Sequence, residues 1–226
     1  MPDDDAATAA AILNEPKVPY GDPPQPASAP ADPRAAPGSY RFSLAQYHAM
    51  IERGILSEDD GVELIGGRLI YKMSVNPPHA AGVRAVRRVL ASLIDPDSLD
   101  LHQESPVSLA DSELEPDLTV VARREDDYAS AHPTPADVSL VVEVADVSLE
   151  RDRLVKRPLY AAAGIAEYWI VNLRDRRLER YTAPEPARAD VDQAARYATA
   201  ETFAEDAALE HPDLGTVAVG ALLPRA

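Results

Sequence analysis

Two short β-branched runs, "DLTVVA" (117–122) and "VSLVVEVA" (138–145), constrain this chain more than any other feature. Neither alternates strictly between apolar and polar residues, as a strand with one wet face does, and both are short for a helix. Such runs suit strands buried on both faces, so the chain needs a central sheet with a covering layer on either side. Glu143 breaks the pattern. It stands inside the second run, where a carboxylate is costly to bury unless it is paired or bound to a metal.

The flanking segments predict a mixed α+β domain. "FSLAQYHAMIERGIL" (42–56) reads as a helix, with Ser43 and Gln46 spaced as a capping box and Gly54 placed to end it. "GVELIGGRLIYKM" (61–73) reads as a hairpin around Gly66-Gly67. From His79 to Ile94, Val83, Val86, Leu90, Leu93 and Ile94 keep helical spacing. "LDLHQESPVSL" (99–109) is extended and interrupted at Pro106. A helical stretch covers Ser148 to Ala163 and stops at Gly164, with Pro158 predicted to stand in the first turn of the helix proper. "EYWIVN" and "RLERYT" read as two more strands about an "LRDR" turn. "RYATAETFA" and "GTVAVGALL" read as weak strands at an edge.

Residues 1–39 are expected to be a disordered Pro/Ala-rich tail, with eight prolines between Pro16 and Pro37 and no apolar period, leaving 40–226 as one domain. The chain has no cysteine, which excludes disulfides and thiolate metal sites, and its five histidines lack zinc-type spacing. No apolar run approaches the ~20 residues needed to span a bilayer. The start, "MPDDDAATAAAIL", is acidic where a signal peptide is basic, so a cytoplasmic protein without membrane contact is expected. The net charge of −16 opposes binding to a polyanion, which is held mainly by Lys and Arg. Both ends carry much of that charge, and 40–182 has a net of only −7. Basic residues cluster there at Arg84, Arg87 and Arg88 and again at Arg151, Arg153, Lys156 and Arg157.

Three polar residues fall at or near apolar segments in a pattern that suits metal chemistry. Asp117 opens its run directly after Pro116, Glu143 interrupts the next, and Lys156 follows thirteen residues later. If the two runs are neighbouring strands, both carboxylates can enter one cleft. Oxygen ligands of this kind suit Mg²⁺, which keeps several waters and completes its shell from carboxylates and a phosphate. A nearby lysine can orient a water and offset transition-state charge. Each residue also has a structural reading. Asp117 fits a strand entry, Lys156 a solvated basic patch, and Glu143 a core pair with a buried cation. Tyr168 and Trp169 read as core.

The stretch from Val62 to Tyr181 resembles the Uma-two family of "putative restriction endonucleases", within the PD-(D/E)xK nuclease superfamily. The pieces that carry the resemblance are "VELIGGRLIYKM", "PPHAAGVRAVRRVL", "QESPVSL", "EPDLTVV" and "LVVEVADVSLERDRLVKRPLYAAAGIAEYWIVNLRDRRLERY". The resemblance implies a restriction-endonuclease-like core, a mixed central sheet flanked by helices. It makes Asp117 and Glu143 the metal carboxylates. The superfamily's lysine usually lies two residues after the second carboxylate, which here is Ala145, whereas the resembling family takes it from the following helix, matching Lys156. Glu63 matches an acidic position that completes the metal site, against an alternative as an exposed hairpin carboxylate. His79 matches a histidine at a helix start, where capping is the simpler role. Gly66 stands where the family often has an acidic residue, and reads as turn chemistry. Gln103 and Glu104 precede Asp117, and neither is assigned a role.

Three functions follow as candidates. The first is a Mg²⁺-dependent endonuclease (Mn²⁺ substituting) cutting nucleic acid, with DNA the leading substrate and a homodimer suited to cutting both strands. The second is a catalytically silent nuclease-fold binding or regulatory module. The third is an acidic structural protein, which leaves Glu143 unexplained.

Overall fold

A computed structural model describes residues 39–73, 75–189 and 193–225. The expected tail lies outside these, apart from Ser39. Helix α1 (Leu44–Glu52) begins as its sequence predicts: Ser43 Oγ accepts from Gln46 N, and Gln46 Oε1 accepts from Ser43 N. Strands β1 (Val62–Ile65) and β2 (Arg68–Tyr71) form the hairpin. Its turn residues Gly66 and Gly67 have φ of 55° and 75°, the left-handed pair a tight hairpin turn needs and one that Gly-Gly adopts without strain.

After α2 (Pro77–Leu93) come β3 (Leu99–Gln103), the short β4 (Val107–Ser108) and β5 (Glu113–Leu114), β6 (Leu118–Ala122) and β7 (Val138–Ala145). Next stand a short α3 (Leu149–Arg151), a π-helical turn (Asp152–Lys156) and α4 (Arg157–Ala162). The chain then forms β8 (Glu167–Asn172), β9 (Arg177–Glu185) and β10 (Arg196–Ala204), followed by β11 (Ala208–His211), β12 (Gly215–Ala218) and α5 (Val219–Leu222).

The central sheet has six strands in the order β10-β9-β8-β7-β6-β3, with β7–β8 its one parallel pair, so the sheet is mixed as expected. The β1–β2 hairpin joins β5 and β4 in a smaller sheet, and β11 pairs with β12. Alternation along β7 sorts its side chains between two apolar layers. Leu140, Val142 and Val144 pack with Val83, Val86 and Leu90 of α2, whereas Val141 and Ala145 pack with Tyr160 and Ala161 of α4. Glu143 lies between Val141 and Ala145 and so shares the α4 face.

Gly82 sets the approach of α2 to β7. A Cβ there would lie 2.7 Å from Val144 Cγ1 and 3.1 Å from Leu173 Cδ2. Helix propensity favours Gly82→Ala by about 1 kcal/mol, but overpacking costs about 1–3 kcal/mol. Both crowding side chains are in or beside strands, so the clash is expected to win. A lower urea midpoint for Gly82→Ala checks this; a higher one would show that α2 can step back.

Two expectations are corrected. The helix does not begin at Pro158 but at Leu149, and it passes the proline through the π turn. There the Arg157 N–H bonds Asp152 O, five residues back, so the ladder shifts just before a residue that cannot donate. "GTVAVGALL" is not one edge strand of the main sheet. It splits into β12, paired with β11, and α5, whose Val219 and Leu222 are buried in the α2-side layer. Apolar burial overrides its β-branched composition there. "RYATAETFA" is the edge strand β10, as expected.

Candidate active site

A cleft of about 140 Å³ opens where β6 begins and β7 ends, lined by Asp117, Glu143, Lys156, Glu63, His79 and Asp152 among others. The three residues singled out by sequence therefore come together, and register explains how. Leu118 pairs with Val142 across the antiparallel β6–β7 ladder. One step further sets Asp117 opposite Glu143, on the same face of the sheet. Asp117 is further anchored by Val144, whose N–H donates to Oδ2 at 2.6 Å.

Lys156 reaches the same place from the π turn. Its Nζ donates to Glu143 Oε1 at 2.7 Å, and the Tyr160 hydroxyl donates to that same oxygen at 3.0 Å. Glu143 and Lys156 are only 3% and 6% exposed, so the pair is buried and the solvated-patch reading of Lys156 fails. Asp152, also buried, accepts from Ser148 Oγ at 2.6 Å.

Glu63 and His79 depart from their simpler readings. Glu63 is buried, with Oε2 3.7 Å from Arg151 Nη2 and without a hydrogen bond. It is no exposed hairpin carboxylate. Asn76, not His79, caps α2, accepting from the His79 backbone N–H at 3.0 Å. The His79 ring instead bridges the site: Nδ1 is 2.8 Å from Val144 O and Nε2 is 3.2 Å from Asp117 Oδ1. Glu104 lines the cleft, while Gln103 is exposed. Tyr168 and Trp169 are fully buried in the core.

The site's electrostatics have one direction. Glu63, Asp117, Glu143 and Asp152 line the cleft with Glu104, Glu115 and Asp146, against the cations Lys72, Arg151 and Lys156. Burial pushes the Glu143 carboxyl up to about 8, Asp117 and Asp152 add to that, and Lys156 opposes it. Burial also raises Asp152. For Lys156 burial acts downward, but Glu143, Glu63 and Asp152 outweigh it and hold the ammonium above its ordinary value. The hydrogen bond to Asp117 raises His79. Glu143, Asp152, Lys156 and His79 thus each hold a proton more tightly than usual, as burial of the two acids and the excess of carboxylates over cations dictate.

Among the described residues no group of three or more His, Asp or Glu side chains converges closely enough to hold a metal ion. The donors still fit Mg²⁺, which is commonly held by one or two carboxylates with water and substrate phosphate completing its shell. Asp117 and Glu143 are such a pair, because both bonds to Glu143 fall on Oε1. Sequence reasoning missed Tyr160 and Asp152. The spacing Asp152, Lys156, Tyr160, each member four positions after the last, was the available signal.

The rest of the basic cluster is engaged elsewhere. Arg153 binds Glu179, and the Arg157 guanidinium lies 4.9 Å from the centre of the Tyr181 ring. Arg84, Arg87 and Arg88 are exposed on α2. Glu179 offers a test in acid. Burial acts to raise its carboxyl, but bonds from Arg153, Asn172 and Tyr181 outweigh it and hold the pKa below the usual 4.5. Its stabilisation is present above the unfolded-state value and lost as pH falls through the lower folded value. Arg153→Met is therefore expected to raise the midpoint of acid unfolding. An unmoved midpoint would count against this role.

A mixed sheet with two carboxylates facing a helix-borne lysine defines a restriction-endonuclease-like fold. The Uma2 family model, described as "Putative restriction endonuclease", matches residues 44–215, and the chain belongs to that family. One solved structure of similar fold is from Anabaena variabilis ATCC 29413, described as "a putative nuclease belonging to DUF820". It has a TM-score of 0.61 and 18% identity, with 80% of this chain and 97% of that chain covered. No curated protein matches the sequence. No helix among the described residues is long and apolar enough to cross a membrane.

Proposed function

We propose that this protein is a Mg²⁺-dependent endonuclease that hydrolyses phosphodiester bonds of nucleic acid, DNA first among them. The observation that carries the proposal is the meeting of Asp117, Glu143 and Lys156 in one cleft. Asp117 and Glu143 would hold Mg²⁺, with Mn²⁺ a substitute. When bound, the metal supplies Lewis-acid activation of the phosphate and a lowered pKa for water.

The protein's own groups do the rest. Lys156 is charged, so it acts as a donor and not a base. With one N–H on Glu143, it has others to orient the attacking water and offset charge building on the phosphate oxygens. Val144 N–H and the His79 ring fix the Asp117 carboxylate, which limits rearrangement when substrate arrives. A homodimer supplies the two sites that cutting both strands of a duplex requires. The cysteine-free composition is in keeping with a cytoplasmic setting.

The test is a screen of end-labelled single- and double-stranded DNA and RNA with Mg²⁺. Cleavage is expected in wild type, and its loss with EDTA or in Asp117→Ala. No cleavage of any substrate would favour the silent binding module, which the net charge of −16 also suits.

A further inference from the structure

We infer that Tyr160 is a positioning residue for Glu143, holding one carboxylate oxygen so that the other is offered to the cleft. This rests on the proposed role of Glu143 as a metal ligand. Tyr160 is fully buried, and among the described residues its hydroxyl has one hydrogen-bond partner, Glu143 Oε1, at 3.0 Å. Lys156 Nζ occupies the same oxygen at 2.7 Å. Two donors from successive helical turns thus converge on Oε1 and fix the rotation of the carboxylate.

The local backbone makes that convergence possible. Lys156 ends the π turn and Tyr160 lies in α4, four residues on. Side chains at that spacing share a helix face. Their positions relative to β7 are set by the same π turn that accommodates Pro158. The Tyr160 ring packs 5.0 Å from the Tyr168 ring, a contact a phenylalanine would keep. The hydroxyl alone therefore separates a space-filling role from a positioning one.

Tyr168 is the matched control. It is equally buried, belongs to the same ring cluster, and its hydroxyl bonds Asp152 O at 3.3 Å without touching Glu143. The experiment follows free Mn²⁺ by its paramagnetic resonance signal during titration into wild type, Tyr160→Phe and Tyr168→Phe. Groups that orient metal ligands typically contribute ~10–100-fold in affinity. Tyr160→Phe is expected to weaken Mn²⁺ binding about tenfold or more, with far-UV dichroism unchanged and Tyr168→Phe binding as wild type. Wild-type affinity in Tyr160→Phe, or equal weakening in both variants, would overturn the inference while leaving the metal site intact. An unfolded Tyr160→Phe would also overturn it, because the hydroxyl would then serve the fold. No Mn²⁺ uptake by the wild type would remove the metal reading itself, and this inference with it.

Discussion

Glu143→Ala is expected to unfold at markedly lower urea concentration than the wild type, even without metal. Two effects compete. Removing a carboxylate from this acidic cleft relieves repulsion from Asp117 and Asp152, which tends to stabilise. Against that, the change strips Lys156 Nζ and Tyr160 Oη of a direct acceptor, at 2.7 and 3.0 Å, inside a buried site. Breaking a buried ion pair by removing one partner typically costs about 3–5 kcal/mol. The direct bonds outweigh the longer-range repulsion, and Glu63 and Asp152 remain to soften the loss. A value near the lower end, ~3 kcal/mol, is therefore expected. Adding Lys156→Met should recover part of it, since the stranded charge is then gone. Wild-type stability in Glu143→Ala would mean that the Glu143–Lys156 pair contributes nothing to the fold.

Lys156→Met is expected to separate binding from chemistry. The ammonium lies against Glu143, so its removal leaves both proposed metal carboxylates in place. Its proposed work falls in the transition state, where it offsets charge and orients water. Deleting one such preorganised donor typically lowers kcat by about 10²–10³-fold. That loss is expected to exceed any change in Mn²⁺ affinity, because losing the Lys156 bond that helps orient Glu143 and losing a competing positive charge act in opposite directions on metal binding. Single-turnover cleavage beside a metal titration checks both halves. A raised KM with unchanged kcat would make Lys156 a substrate-binding residue instead.

The residues most legible in the sequence were those that broke a local rule. Glu143 stood out because a carboxylate within β-branched residues demands a reason, and Asp117 because it opened the companion run. Once β6 and β7 pair antiparallel, their meeting follows from register alone. The family resemblance carried Lys156, which spacing left among other basic residues.

What stayed hidden was hidden for physical reasons. Tyr160 obeys the apolar pattern of its helix, and no sequence pattern shows where a buried hydroxyl points. His79 sits near a helix start, where capping is the commoner role, yet Asn76 two residues before the second proline already fills it. Glu63 lies on a hairpin whose outer strand exposes Tyr71, so its burial depends on Arg151 and the packing across the cleft, which are tertiary facts. Pro158 suggested a helix start because a π turn, which lets a helix pass a proline, leaves no simple mark in composition. The C-terminal segment misled for a similar reason: Leu222 and Leu223 have partners in the α2-side layer that only the folded chain supplies.

The central claim is that Asp117 and Glu143 together bind one divalent cation. Calorimetric titration of Mg²⁺ and Mn²⁺ into wild type, Asp117→Ala and Glu143→Ala tests it most directly. Saturable binding by the wild type near one ion per chain, lost in both variants, is the expected result. Wild-type protein that takes up neither ion, with or without a DNA strand present, would contradict the claim, as would a variant that still binds as the wild type does.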